Sequence, residues 1–506
     1  MLPDSRKRNS INNIIFGYIN QIFSLVLNFI GRIIFIRILG EEYLGINGLF
    51  SDILTMLSMA DMGFGIAMSY SFYKPIAEND VKQIVALINF YKKIYNIIAI
   101  LTTIFGVLLI PALKYLVNID IKIPHLTLYY LLFLANTTLS YLFVYKTAII
   151  NASQKNYLIS RYQIVINIIK TIIQIIVLIA FKNYFMYLLI IIIATLVNNL
   201  LASHKAEKLY PEIRKKNYEL DKDNKNVIKE NMKSVFLYKL SGVLLTGTDN
   251  ILISVIIGTV WVGIYSNYNL LLNGINSLIG TFFNAVTSSI GNVVVTEKSK
   301  KQYEVFRILN VISLSIAAIT VSILSNLISD FIYLWLGEKF ILSNDIKIAI
   351  LCNFYMANIL RPIWSYREAT GLYMKTKYIM LIASFINFIL SIIGGYKFGM
   401  AGIIFASAIS RICTYFWYEP KLLFENFFKK DVTNYFLLIL KNVVLTIGLC
   451  VAMDILGQNY HVDSWWKLLL KLMIVGIISV ACVIGCYFRT KEMKIIFQII
   501  KDILKK

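Results

Sequence analysis

Gly17, Gln21, Ser24, Asn28 and Arg32 recur every three or four positions along an otherwise apolar stretch. At 3.6 residues per turn this spacing puts all of them on one helical face. A guanidinium on such a face can hold an anion, because its paired N–H donors grip phosphate or carboxylate. Similar faces recur at Gln163, Asn167, Lys170 and Gln174, at Asn358, Arg361, Ser365 and Glu368, and at Lys239, Gly242, Thr246 and Asp249 with Asn250. Two more stripes carry no cation: Ser51, Thr55, Ser58, Asp61, Gly65 and Ser69, and Asn269, Asn273, Asn276, Gly280, Asn284 and Ser288. A lone serine or glycine there is explained by helix packing, and a lone asparagine by an interhelical hydrogen bond. Ionisable residues differ, because each costs about 2.5–3.5 kcal/mol at mid-bilayer and persists where it is paired or faces water.

Continuous stripes on several helices point to a hydrated cavity between two halves of the chain. The candidate cations are Arg32, Lys170, Lys239, Arg361 and Arg411, with Gln21, Asn28, Asn269 and Asn273 as polar lining. Arg37 stands nearer the outer edge, where snorkelling alone explains it. A cationic excess suits an anionic substrate; the alternative is that Lys239 and Asp249 pair with neighbours and only hold the halves in register. Asp52, Asp61 and Asp249 are the candidate anions, and Asp61 and Asp249 are the candidates for taking up a coupling proton or cation.

Enzyme signatures are absent from the sequence. Its only histidines, His125, His204 and His461, fall in loops or at helix ends, so there is no HExxH motif and no His-based triad. There is no Walker motif to bind ATP. Cys352, Cys413, Cys450, Cys482 and Cys486 all lie in apolar stretches without a CxxC pair, which predicts small buried residues rather than disulfides or metal ligands. No cofactor is expected.

The elements that must position these residues are long and apolar. Of 506 residues, 58% are hydrophobic and 15% charged, against about 25% charged in a soluble domain. A spanning helix needs about 20 apolar residues, and such stretches run from end to end. The prediction is an all-α polytopic membrane protein of about fourteen transmembrane helices. The net charge of +22 would suggest nucleic acid in a soluble protein. Here the basic residues sit in short runs between apolar helices, as the positive-inside rule produces, and nucleic acid is rejected. Nine Lys/Arg lie between Lys205 and Lys233 and six follow Phe488, whereas the loops on the other side are short and poor in them. The pattern predicts both termini inside. The short basic N-terminus leads into an apolar helix too long for a signal-peptide core, read as an uncleaved first span. The tail from Lys491 alternates basic and apolar residues and is expected on the anionic inner leaflet.

An internal repeat divides the chain. Ile38–Ile46, with Gly40 and Gly45, resembles Ile256–Ile264, with Gly258 and Gly263, at an offset of 218. Lys146-Thr-Ala148 resembles Arg367-Glu-Ala369 at an offset of 221. The organisation predicted is a six-helix lobe over 1–203, a basic cytoplasmic linker over 204–233, a second six-helix lobe over 234–432, two further helices over 433–488 and an amphipathic tail over 489–506. Both lobes begin from the same side, which makes the repeat parallel.

The stretch Gly40–Phe50, continuing through Asp61-Met-Gly-Phe-Gly65 and Ser71–Ala77, resembles the Wzx-type polysaccharide flippases of the multidrug/oligosaccharidyl-lipid/polysaccharide exporter superfamily. Arg37-Ile-Leu-Gly40 and Asp61-Met-Gly63 match that group's turn after the first span and its acidic pattern late in the second. The resemblance implies fourteen helices in two lobes forming a V. It implies movement of undecaprenyl-pyrophosphate-linked sugar repeat units from inner to outer leaflet by alternating access, with the polymerase of the same pathway as a candidate partner. Alternatives within the superfamily are export of lipid II, of a teichoic-acid precursor or of drugs. From another class, the alternative is a membrane polysaccharide polymerase or acyltransferase; a polymerase would be expected to carry a larger outer loop than the roughly ten residues available.

Overall fold

The computed structural model describes residues 3–58, 68, 71–73, 75–76, 78–214, 218–221, 240–242, 244, 247–370, 372–457 and 460–504. Among them the chain is nearly all helix and contains no strand. In hydrocarbon every backbone N–H and C=O must find its partner within the segment, so apolar stretches of this length become helices. Eleven stretches among the described residues are long and apolar enough to cross a membrane. The chain divides into two compact units, Met1–Ser266 and Asn267–Lys506.

Unit 1 contains α1 (Pro3–Leu39), α2 (Glu41–Leu57), α3 (Val81–Leu108), α4 (Leu126–Ala152), α5 (Tyr157–Phe181), α6 (Tyr184–Leu209) and the start of α7 (Thr259–Thr296). Before α7 comes the helical stretch Leu240–Ile257. The polar stripes of α1 and α5 zip together. Asn13 Oδ1 accepts from the Tyr157 amide at 2.7 Å, Asn20 Nδ2 donates to Gln163 Oε1 at 3.2 Å, and Asn167 Nδ2 donates to Ser24 Oγ at 3.5 Å. α3 and α4 meet through Tyr91, Tyr95, Tyr141 and Tyr145 in a buried aromatic core. α4 and α6 are joined by an ion pair of 2.6 Å between Lys146 Nζ and Glu207 Oε1.

The third helix begins at Val81, where Asp80 caps it by accepting from the Gln83 amide at 3.0 Å. Lys92 and Lys93 are therefore well inside the helix; they are exposed, and Lys93 lies 3.4 Å from Glu219 of the linker. α6 runs past the expected end at Ser203 to Leu209, which is what brings Glu207 to Lys146. The later part of the stripe that runs from Ser51 to Ser69 lies mostly outside the described residues. The cysteines are not buried: Cys413, Cys482 and Cys486 are exposed, and all of them are free thiols. An apolar position on a spanning helix can face lipid as readily as a core, so apolar neighbours in sequence do not imply burial.

Unit 2 continues α7 and adds α8 (Ser299–Leu336), α9 (Asn344–Ile359), α10 (Arg361–Thr370), α11 (Tyr373–Cys413), α12 (Tyr415–Leu423), α13 (Thr433–Gly457), α14 (Trp465–Tyr487) and α15 (Lys491–Leu504). α8 is its central post. It holds α9 through Ser313 Oγ donating to the Asn358 carbonyl at 2.6 Å. It holds α14 through Ser322–Ser479 at 2.8 Å and Lys471–Asp330 at 2.7 Å. α11 is not one straight rod, because Gly399 has φ 61 and ψ −146 in its middle. Asn387 Nδ2 reaches Ser407 Oγ at 2.9 Å, whereas a straight helix would separate twenty residues by about 30 Å. The chain turns back at Gly399, giving two antiparallel helices.

The internal repeat has a structural counterpart. Gly40 and Gly258 both end helices with positive φ, 92° and 141°, a region in which side chains clash and glycine does not.

Candidate functional site

A cavity of about 400 Å³ lies within unit 1. α1 contributes Asn28, Gly31 and Arg32, and α2 contributes Asn47, Ser51 and Thr55. α4 adds Asn136 and Thr137, α5 adds Lys170, Thr171 and Gln174, and α6 adds Tyr187. The register of the α1–α5 zipper sets this geometry. Toward one end of the pair the two polar faces bond to each other; further along, Asn28, Arg32, Lys170 and Gln174 line the cavity.

Arg32 and Lys170 give the site its charge. Arg32 Nη1 donates to Ser266 Oγ at 3.1 Å, and Ser266 donates onward to the Gly263 carbonyl at 2.7 Å. Lys170 Nζ has a single, long contact of 3.4 Å with Asn167 Oδ1. Among the described residues neither cation meets a carboxylate. Gln174 Nε2 donates to the Tyr187 carbonyl at 3.4 Å. Asn136 Oδ1 is buried without a hydrogen-bond partner. Two cations set in an apolar lobe without counterions are costly unless water or an anion solvates them. The arrangement suits a polyanion whose oxygens accept from the guanidinium and the ammonium together, with neutral amides beside them for hydroxyl groups.

The other predicted residues fall elsewhere. Gln21 is half-buried on α1 and does not line the cavity. Arg361, in unit 2, is held by amides: its Nε donates to Asn358 Oδ1 at 2.8 Å and its Nη2 to Asn276 Oδ1 and the Asn276 carbonyl, each at 3.2 Å. The guanidinium also lies 6.0 Å from the Phe283 ring. Arg411 is buried and donates from Nη1 to the Asn353 carbonyl at 3.2 Å. Asn269 is half-buried and Asn273 exposed on α7. Asp249 is buried, and its neighbour Asn250 donates from Nδ2 to Asp52 at 2.5 Å. Lys239 and Asp61 lie outside the described residues.

Asn47, Asn136 and Tyr187 line the cavity without having stood out in the sequence. Asn47 precedes Ser51 by one helical turn and extends that stripe backwards, a signal the sequence held. Asn136 stands among apolar residues of α4, and Tyr187 belongs to an aromatic pair with Tyr184, so neither spacing marks a site.

The sequence matches the family described as polysaccharide biosynthesis protein over residues 10–288, more than half of the chain. A comparison with curated proteins finds no match. The fold is similar to that of the lipid II flippase MurJ in an inward closed conformation, with 18% identity, TM-score 0.65, and 94% of this chain and 99% of that one covered. It is also similar to an inward-facing multidrug resistance MATE transporter of the MOP superfamily, with 15% identity, TM-score 0.58, and coverage of 78% and 93%. A Vibrio cholerae MATE transporter, VcmN, gives 13% identity, TM-score 0.59, and coverage of 84% and 100%. The chain is a multi-pass membrane protein with the fold of the MOP-superfamily transporters, and it belongs to the polysaccharide biosynthesis protein family.

Proposed function

We propose that the protein is a flippase, not an enzyme. Its substrate would be an undecaprenyl-pyrophosphate-linked oligosaccharide, moved from the inner to the outer leaflet of a bacterial cytoplasmic membrane for a capsule or O-antigen-type polysaccharide. The observation that carries this reading is the cavity that holds Arg32 and Lys170 with no carboxylate partner among the described residues, in a chain of the polysaccharide biosynthesis family. A pyrophosphate would take the cations, the asparagines would take sugar hydroxyls, and the polyprenyl tail would stay in lipid. Alternating access would expose the cavity to each side in turn, with both termini on the cytoplasmic side. An ion gradient or the membrane potential would drive the cycle, with Asp61 and Asp249 as the carboxylates that take up the coupling ion.

The test is reconstitution. Vesicles carrying the protein and an undecaprenyl-pyrophosphate-linked oligosaccharide should expose the sugar to an external glycosidase faster than protein-free vesicles. A neutral glycolipid should gain nothing. Equal acceleration of both lipids, or of neither, would contradict the reading; movement of lipid II or a teichoic-acid precursor instead would reassign the substrate within the same class.

A further inference from the structure

We propose that the end of unit 2 around the first turns of α8 is a docking surface for anionic phospholipid headgroups, with α15 lying in the membrane surface as its main contact. Three basic segments far apart in sequence meet there. Lys298 and Lys300 enter α8, Lys429 and Lys430 precede α13, and Lys491 and Lys494 belong to α15, and all are exposed. Ser299 Oγ donates to the Phe428 carbonyl at 3.4 Å, and Lys430 Nζ sits 4.0 Å from the Tyr303 ring centre. Arg307 of α8 pairs with Glu492 of α15 at 2.6 Å. Met493 enters a buried cluster with Val311, Leu449, Val483 and Tyr487.

Four acidic groups stand nearby: Glu297, taken by Lys301 at 2.7 Å, Glu492, taken by Arg307, and the exposed Glu304 and Asp431. Against them stand eight Lys/Arg, the six exposed lysines with Lys301 and Arg307, so the surface keeps a cationic excess. A bilayer fits this surface better than a soluble partner for two reasons. α8 and α13 start here and α14 ends here, so the lysines stand at the ends of three candidate spans, at headgroup depth. Among them stand apolar side chains left in the open: Phe488 is 58% exposed, Ile495 41% and Phe497 38%. Lysines mixed with aromatic and aliphatic groups at the end of a span are how an in-plane helix holds an anionic leaflet. Because Glu492 and Met493 fasten α15 to α8, the lipid contact bears on the central post of unit 2. The inference does not depend on what the protein transports.

The experiment is hydrogen exchange of the full chain in vesicles of phosphatidylcholine alone and of phosphatidylcholine mixed equally with phosphatidylglycerol. Peptides covering 488–504 should exchange more slowly in the mixed vesicles, and high salt should remove the difference. The K430Q/K491Q/K494Q variant should lose the lipid dependence while α8 keeps its protection. Equal exchange of the tail in both vesicles for the unmutated chain would overturn the proposal. Protection that appears only when soluble protein extract is added would assign the surface to another protein and overturn it as well.

Discussion

Gly263 stands against Gly45, backbone to backbone: a Cβ built on Gly263 would lie 2.7 Å from the Gly45 amide nitrogen and 3.1 Å from its Cα. The two glycines occupy equivalent positions of the internal repeat, so the chain brings a motif into contact with its own copy. Gly48 continues the contact, its Cβ position lying 3.3 Å from Val262. Nothing larger than glycine fits this crossing of α2 with the start of α7.

Gly263→Ala should therefore push the two helices apart and destabilise the protein by about 1–3 kcal/mol, the usual effect of an extra methyl in a full contact. Gly448→Ala in α13 is the control, since a Cβ there meets nothing within 4 Å; it should be neutral or stabilising by up to about 1 kcal/mol. Thermal unfolding in detergent measures both, and an unchanged midpoint for Gly263→Ala would remove the close contact from the account.

Arg361 should behave as a cross-link. Its guanidinium is held by Asn358 and Asn276, so Arg361→Ala and Asn276→Ala should each lower stability. The double variant should lose less than the sum, with a coupling of about 0.5–3 kcal/mol. Arg361→Lys should not rescue, because an ammonium cannot make the Nε and Nη2 contacts together. Full additivity in the double-mutant cycle would show that the pair does not interact.

The reversal at Gly399 makes a third prediction. Gly394 and Gly402 pack backbone to backbone beside the turn; a Cβ on Gly394 would lie 2.7 Å from the Gly402 carbonyl oxygen. Gly394→Val should reduce the amount of folded protein recovered from the membrane, whereas Gly485→Val, at a position with open space, should not. Equal yields from the two variants would argue against a tight hairpin.

Topology gives a fourth. Single cysteines replacing Tyr460 or His461, in the loop between α13 and α14, should react with an impermeant thiol reagent added outside intact cells. Those placed in 222–230 should not. The reverse pattern would invert the proposed orientation.

Much of the architecture was legible because the bilayer imposes simple rules. Apolar length predicts helices, and α5 runs from Tyr157 to Phe181 because Asn156 and Lys182 flank a run rich in branched aliphatics. The three-and-four spacing of Ser24, Asn28 and Arg32, and of Asn167 and Lys170, marked the faces that meet. Their destination was not legible. Spacing tells which residues share a face of one helix, but not which other helix that face meets. Hence spacing did not foretell which helices line the cavity of unit 1, nor that Arg361, similar in sequence context to Arg32, is bonded to Asn358 and Asn276. Partners such as Glu207 for Lys146 and Glu492 for Arg307 were invisible for the same reason.

The central claim is that Arg32 and Lys170 together hold the anionic head of a lipid-linked sugar. The most direct test is the flipping rate in reconstituted vesicles for the unmutated protein, Arg32→Ala, Lys170→Ala and Arg361→Ala at matched protein content. The account predicts a loss of about tenfold or more for each of the first two, on the scale of a charge-assisted hydrogen bond of about 1.5–3 kcal/mol. It also predicts a smaller effect per folded molecule for Arg361→Ala, and partial activity for Arg32→Lys. Unchanged flipping by both Arg32→Ala and Lys170→Ala would contradict it.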